Sequence, residues 1–295
     1  MTIKQFIKYL RFEKRYSPHT ILAYENDLSA FKSFLSETYE INDLTIADTQ
    51  HIRSWVVSLM RSDIANATIN RKVASLKSFY KYLQIHFDSG QNPISGVVTP
   101  KIRKRLPTFV KTTEITDLLN SFIETDDYVS IRDKMVIELL YVTGIRRSEL
   151  MGLTYQSINF HKGLIKVLGK RQKERLIPIS KDLCSKLQAY WSIRQENFQT
   201  DDRHFFLTKK GKPLYPKAIY NIVRKYLEGF TTVEQKSPHT LRHSFATHLL
   251  NNGAELNAIK ELLGHESLAA TQVYTHTTLS KLKSAYLKAH PKASN

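Results

Sequence analysis

The sequence predicts a mainly α protein with one small antiparallel β-sheet, split into a helical N-terminal domain and a larger C-terminal domain. Three features predict it. Apolar residues recur at helical spacing through the first hundred residues with no strand signal. The pattern breaks between Gln91 and Pro107. Helical spacing then resumes and is interrupted once, by three short alternating segments between Ser157 and Ile179.

Phe6, Ile7 and Leu10 mark a first helix. Ser17-Pro18 starts a second, because the serine oxygen accepts an orphan amide and proline suits the first helical position; Ile21, Leu28, Phe31 and Leu35 continue it. A third carries Ile52, Trp55, Val56 and Leu59. The fourth has two faces, one apolar (Ile69, Val73, Leu76, Leu83) and one polar and basic (Asn70, Arg71, Lys77, Ser78, Lys81). A basic helix face fits contact with phosphates and equally fits a solvated surface. This domain is expected over residues 1–90. Asn92-Pro93, Gly96, Pro100 and the cluster Lys101, Arg103, Lys104, Arg105 ahead of Leu106-Pro107 read as a basic interdomain linker, 91–107. The second domain then fills 108–295.

In the second domain, helices are expected at 113–123 and 130–143, the latter closed by Gly144 as a C-cap. Alternation at 157–160, 164–168 and 175–179, with turns at 161–163 and 169–172, gives a three-stranded sheet. Further helices are expected at 181–195, 216–227, 239–252, 255–263, 267–275 and 278–289. The last is amphipathic, with Leu279, Leu282, Tyr286 and Leu287 in a stripe that must be buried somewhere.

Charge narrows the function. The 295 residues carry a net +17 with a pI near 9.7, which points to a polyanionic partner such as nucleic acid, with an anionic membrane surface as the competing reading. An apolar content of 41% suffices for packed cores. One cysteine, Cys184, excludes an internal disulfide and reads as a small core residue on a helix. No apolar run approaches the roughly 20 residues that span a bilayer. Met1 to Leu10 mix lysines with apolar residues and lack a signal-peptide core, so a cytoplasmic protein is expected.

Four short stretches carry chemistry. In Ser237-Pro238-His239-Thr240-Leu241-Arg242 a capped helix start puts His239 and Arg242 on one face, where amides, macrodipole and side chains favour an anion. In Gly144-Ile145-Arg146-Arg147-Ser148-Glu149-Leu150, Arg146 opens a short helix and Glu149, one turn on, can orient its guanidinium. The turn Gly169 to Arg175 offers Lys170 as a proton donor to a leaving alkoxide. Leu262-Leu263-Gly264-His265 is followed nine residues on by Tyr274. Each stretch alone has an ordinary reading, as a capped helix, a surface ion pair, a solvated turn or a core aromatic.

Together, in this order and at these spacings, they resemble the tyrosine recombinase (phage integrase) family, and within it the Xer-type chromosomal recombinases of bacteria. Ser17-Pro18-His19-Thr20 and Thr68-Ile69-Asn70-Arg71 extend the resemblance over nearly the whole chain. It implies a SAM-like core-binding domain followed by a catalytic domain. It implies Tyr274 as nucleophile on the scissile phosphorus, Arg146 and Arg242 on the non-bridging oxygens with His265, His239 assisting loss of the tyrosine proton, Lys170 as general acid, and Glu149 as support. DNA contacts are expected from Asn70, Arg71, Lys77, Lys81, Arg103 and Lys104. The implied partners are double-stranded DNA, copies of itself or of a paralogue in a tetramer on two duplexes, and a DNA translocase. The implied reaction passes through a 3′-phosphotyrosine and a Holliday junction, serves chromosome dimer resolution at cell division, and needs no metal or other cofactor. The tail helix is implied to dock on a neighbouring protomer, with packing on its own domain as the alternative. A type IB topoisomerase, a mobile-element integrase, a non-catalytic DNA-binding protein and a histidine-based metalloenzyme are the rival readings.

Overall fold

The computed structural model describes residues 3–87, 92–102, 108–122, 127–169, 174–200, 202–264, 284–286 and 288–291. The chain divides into two compact units, Met1–Leu106 and Pro107–Asn295.

The first unit is built from α1 (Ile3–Phe12), α2 (Pro18–Tyr39), α3 (Thr49–Arg61) and α4 (Asn66–Phe87). Ser17 caps α2 as its sequence requires, accepting the Thr20 amide at 3.2 Å. The apolar faces read from the sequence meet in one core in which Phe6, Leu28, Phe31, Leu35, Ile52, Ile69 and Leu76 are fully buried. Among the described residues, one charge lies inside it. Asp27 is 1% exposed and accepts from Arg71, Lys72 and Ser75, so α2 is tied to α4 by a satisfied carboxylate instead of an orphaned one. The expected linker, described over 92–102, is fastened to this unit. Ile94 enters the core, Thr49 donates to the Pro93 carbonyl at 2.8 Å, Arg53 to Gly96, Asn66 to Lys101 and Asn70 to Pro100.

In the second unit α5 (Thr112–Asn120), α6 (Tyr128–Thr143) and the single-turn α7 (Arg147–Met151) precede the sheet, and α8 (Lys181–Asn197), α9 (Pro216–Glu228), α10 (Pro238–Asn251) and α11 (Leu256–Leu263) follow it. Helix α6 is buried on all sides from Met135 to Thr143, as a helix apolar all round must be, and α8, α9 and α10 pack on it. The sheet is antiparallel in the order β1-β2-β3, with β1 (Ile158–Asn159), β2 (Leu164–Leu168) and β3 (Glu174–Pro178). The expected first strand is shortened because Tyr155–Ser157 close a 3-10 turn. Cys184 is buried on α8.

The described end of the tail follows the alternative reading. Tyr286 and Ala289 belong to the core of the second unit and His290 is 1% exposed, so the described end of the tail packs on its own domain. Asn252 donates to the Ala289 carbonyl at 2.7 Å, and the His290 ring lies 5.1 Å from Tyr141, 5.4 Å from Phe245 and 5.4 Å from Tyr286. Leu279, Leu282 and Leu287 lie outside the described residues.

Candidate active site

Gly144 begins the site. It ends α6 in the left-handed region at φ 58°, and a Cβ there would stand 2.5 Å from Phe245 Cδ1, so both conformation and space demand glycine. The turn sends the chain at once into α7, whose N-cap is Arg146. Glu149 reaches back to accept the Arg146 amide at 2.7 Å and its Nη1 at 2.8 Å, which fixes a long, rotamer-rich side chain in one orientation.

Glu149 is itself gripped from behind. Arg175 on β3 donates Nη1 to Oε1 at 2.5 Å and Nη2 to Oε2 at 2.8 Å, a bidentate pair in which the side chains are 5% and 1% exposed. Burial alone would raise the Glu149 carboxyl. The hydrogen bonds and charge of Arg175, aided by Arg146, outweigh burial and hold the group below the usual carboxylate range.

A third guanidinium comes from α10, where Ser237 caps the start, Pro238 follows, and Arg242 lies on the inner side. Arg242 is 6% exposed and donates Nη1 to the Gly144 carbonyl and Nη2 to the Leu263 carbonyl, both at 2.5 Å. Burial, then the like charges of Arg146 and Arg175, push Arg242 down to about 9 against the pull of Glu149; it remains protonated at neutral pH.

The three arginines converge on one helix end. Arg175 Nε donates to the Leu262 carbonyl at 2.8 Å, Arg242 to Leu263, and Arg146 Nη2 to Gly264 at 2.8 Å. These are consecutive carbonyls at the C-terminus of α11, which lack intrahelical partners and carry the negative end of the macrodipole. Each guanidinium has five N–H donors. Arg146 and Arg242 each commit two of these, so each retains donors for an anion. A pair of fixed guanidiniums, one buried, suits the two non-bridging oxygens of a phosphodiester.

The structure thus brings Arg146, Glu149 and Arg242 together as expected. His239 is exposed in the first turn of α10, one turn before Arg242. Lys170, His265 and Tyr274 lie outside the described residues, as do Arg103 and Lys104. On α4, Lys77 and Lys81 are exposed, Arg71 is half-exposed and paired with Asp27, and Asn70 is partly buried on Pro100. Among the described residues no group of three His, Cys, Asp or Glu side chains could hold a metal ion. Arg175 is the residue that the sequence reading passed over as an ordinary strand position. The signal was present, since strand alternation puts it on the same face as the buried Ile177, where an arginine needs a partner.

Residues 109–281 match the model of the phage integrase family, more than half of the chain, and residues 3–85 match its N-terminal SAM-like domain. The chain belongs to the phage integrase family. As a tyrosine recombinase, it is an enzyme of site-specific DNA strand exchange. It is 37% identical to tyrosine recombinase XerC of Listeria innocua, covering 98% of this chain and 97% of that protein. Against XerC of Halalkalibacterium halodurans it is 36% identical, covering 99% and 97%. Among solved structures, XerH site-specific recombinase bound to difH substrate in a pre-cleavage complex is similar with a TM-score of 0.69 at 26% identity, covering 96% of this chain and 82% of that one. The Tn1549 transposon integrase in complex with transposon right end DNA shares the fold, with a TM-score of 0.71 at 22% identity, covering 95% and 98%.

Proposed function

We propose that this recombinase cuts and rejoins double-stranded DNA through Tyr274, at paired chromosomal sites, to resolve chromosome dimers at cell division. The observation that carries the reading is the Arg146 and Arg242 pair, held by Glu149, Gly144 and the end of α11 with donors to spare. Two guanidiniums fixed side by side neutralise a phosphate as it gains charge in the transition state.

The chemistry follows from what such a pair still needs. A tyrosine hydroxyl, with an unperturbed pKa of about 10, is a weak nucleophile at neutral pH. Tyr274 Oη attacks phosphorus while His239 takes the phenolic proton. The bond from phosphorus to the 5′ oxygen breaks, and Lys170 gives that oxygen a proton. His265 donates to a non-bridging oxygen beside the arginines. The product is a 3′-phosphotyrosine ester and a free 5′ hydroxyl. Because one phosphodiester is exchanged for another ester, a 5′ hydroxyl from a second duplex reverses the step on a new partner and generates a Holliday junction.

Lys77 and Lys81, exposed on α4, together with Arg103 and Lys104, supply phosphate contacts that set register without reading bases. The working assembly is a tetramer on two duplexes, of this chain alone or with a paralogue, under the control of a DNA translocase, in the cytoplasm. No described helix is long and apolar enough to cross a membrane.

The test is covalent trapping. On a nicked substrate whose cut strand diffuses away, the wild type should accumulate a detergent-resistant protein-DNA adduct and Tyr274→Phe should bind equally well and form none. An adduct that survives in the variant sinks the assignment. Sequencing the DNA ends trapped on sheared genomic DNA should return one short chromosomal motif; ends confined to a mobile element would instead favour an integrase.

A further inference from the structure

We propose that Arg175 is a positioning residue for the phosphate-binding pair, one that locks the catalytic hairpin, Glu149 and the end of α11 into a single register. The proposal rests on the recombinase reading above and adds to it a residue outside the expected catalytic set.

Three observations carry it. Arg175 is the second residue of β3 and follows Lys170 by five residues in the sequence. Its guanidinium is bidentate on the carboxylate that orients Arg146. Its Nε holds the Leu262 carbonyl, the first of the three carbonyls that also receive Arg242 and Arg146. One side chain therefore joins the carboxylate that orients Arg146 to the helix end on which both Arg146 and Arg242 rest. Gly264 makes room for it, since a Cβ there would lie 3.0 Å from Arg175 Cδ.

A purely structural role accounts poorly for this arrangement. Desolvating a buried ion pair consumes most of what its attraction returns, and apolar residues of similar volume often stabilise a core as well or better. What an apolar pair cannot do is keep Glu149 charged and pointed at Arg146. Without Arg175 the same carboxylate would face burial with less opposition, grip Arg146 less firmly, and leave Arg242 to hold the helix end with one partner fewer. Lysine is no substitute, because a point charge cannot span both carboxylate oxygens and a carbonyl at once.

The test compares cleavage of two DNA substrates, one with an ordinary scissile phosphodiester and one with a neutral methylphosphonate there, which needs far less help from guanidiniums. Displacement of catalytic groups by about 1 Å can cost on the order of 100-fold in rate. Arg175→Met should therefore lose about 100-fold on the phosphodiester and less than about 10-fold on the methylphosphonate. Arg175→Lys, which keeps the charge, should show the same imbalance and serves if the methionine variant does not fold. Equal losses on the two substrates, in a protein whose wild type forms the Tyr274 adduct, would mean that Arg175 supports only the fold and would overturn the proposal. A wild type that forms no adduct through Tyr274 on either substrate would overturn the recombinase mechanism and this proposal with it.

Discussion

Acid should release the described end of the tail before it unfolds the domain. His290 is held down to about 3 by burial and by the adjacent His248, against a hydrogen bond that the ring donates to the Tyr141 backbone carbonyl. His248 is lowered by burial in the same direction, and its Nδ1 lies 2.9 Å from the Tyr141 hydroxyl. The other titratable groups around the seat are Tyr286 and Tyr141, which burial keeps neutral, and Glu138, which is paired with Lys186. A released His290 takes up a proton below its ordinary value of about 6.5, whereas the docked one does not. Docking is therefore at full strength above that pH and weakens as pH falls towards 3. At pH 5 the gap of about 1.5 units is worth about 2 kcal/mol, a roughly thirty-fold rise in the released fraction. Hydrogen exchange over 284–290, corrected for the intrinsic pH dependence, should show protection falling by about that factor between pH 7 and pH 5. His290→Phe, which keeps a ring between Phe245 and Tyr286 and has no proton to gain, should blunt the response. Parallel loss of protection in the wild type and this variant would refute the reasoning.

Gly144→Ala should destabilise the second unit by about 2–4 kcal/mol, the sum of a left-handed alanine and an overpacked contact on Phe245; Gly253→Ala, at φ 83° with open space around it, should cost only about 1–2 kcal/mol. Denaturant midpoints of the two variants separate the contributions. Lys170→Ala should cripple cleavage of ordinary DNA yet recover on a substrate whose 5′ bridging oxygen is sulfur, a leaving group that needs no proton; equal defects on both would assign the lysine to binding. Cleavage should persist in excess chelator, since guanidiniums supply the charge neutralisation, and loss with EDTA restored by magnesium would contradict that.

The described architecture was legible where elements announced themselves locally. Ser17-Pro18 and Ser237-Pro238 set helix starts, Gly144 set a helix end, and alternation in Leu164 to Leu168 set a strand. Spacing made legible that Arg146 and Glu149 share one helix face and His239 and Arg242 another, because residues three or four apart on a helix are neighbours, while their roles came only through the resemblance. Arg175 was not, because its importance lies in partners 26 and 87 residues away that no local pattern links to it. Asn70 illustrates a related limit, since only the return of the chain at Pro100 shows that its side-chain amide donates to that carbonyl. Of the tail stripe, Tyr286 is described and is buried, but amphipathicity alone does not say against which surface.

Arg146 and Arg175 share one hydrogen-bonded carboxylate, Glu149, while Arg242 is bonded to neutral carbonyls, so among the described residues the site holds more positive than negative charge. Without DNA, the catalytic unit is electrostatically frustrated at its centre: the same packing that makes the site a good receptor for a phosphate makes it a poor resting state. Stability and activity then pull in opposite directions at these positions. Exchanging Arg242 for an apolar residue would relieve repulsion while removing the grip on substrate. A phosphate bound between the guanidiniums would relieve the repulsion without any change in sequence and would stabilise the folded unit by mass action.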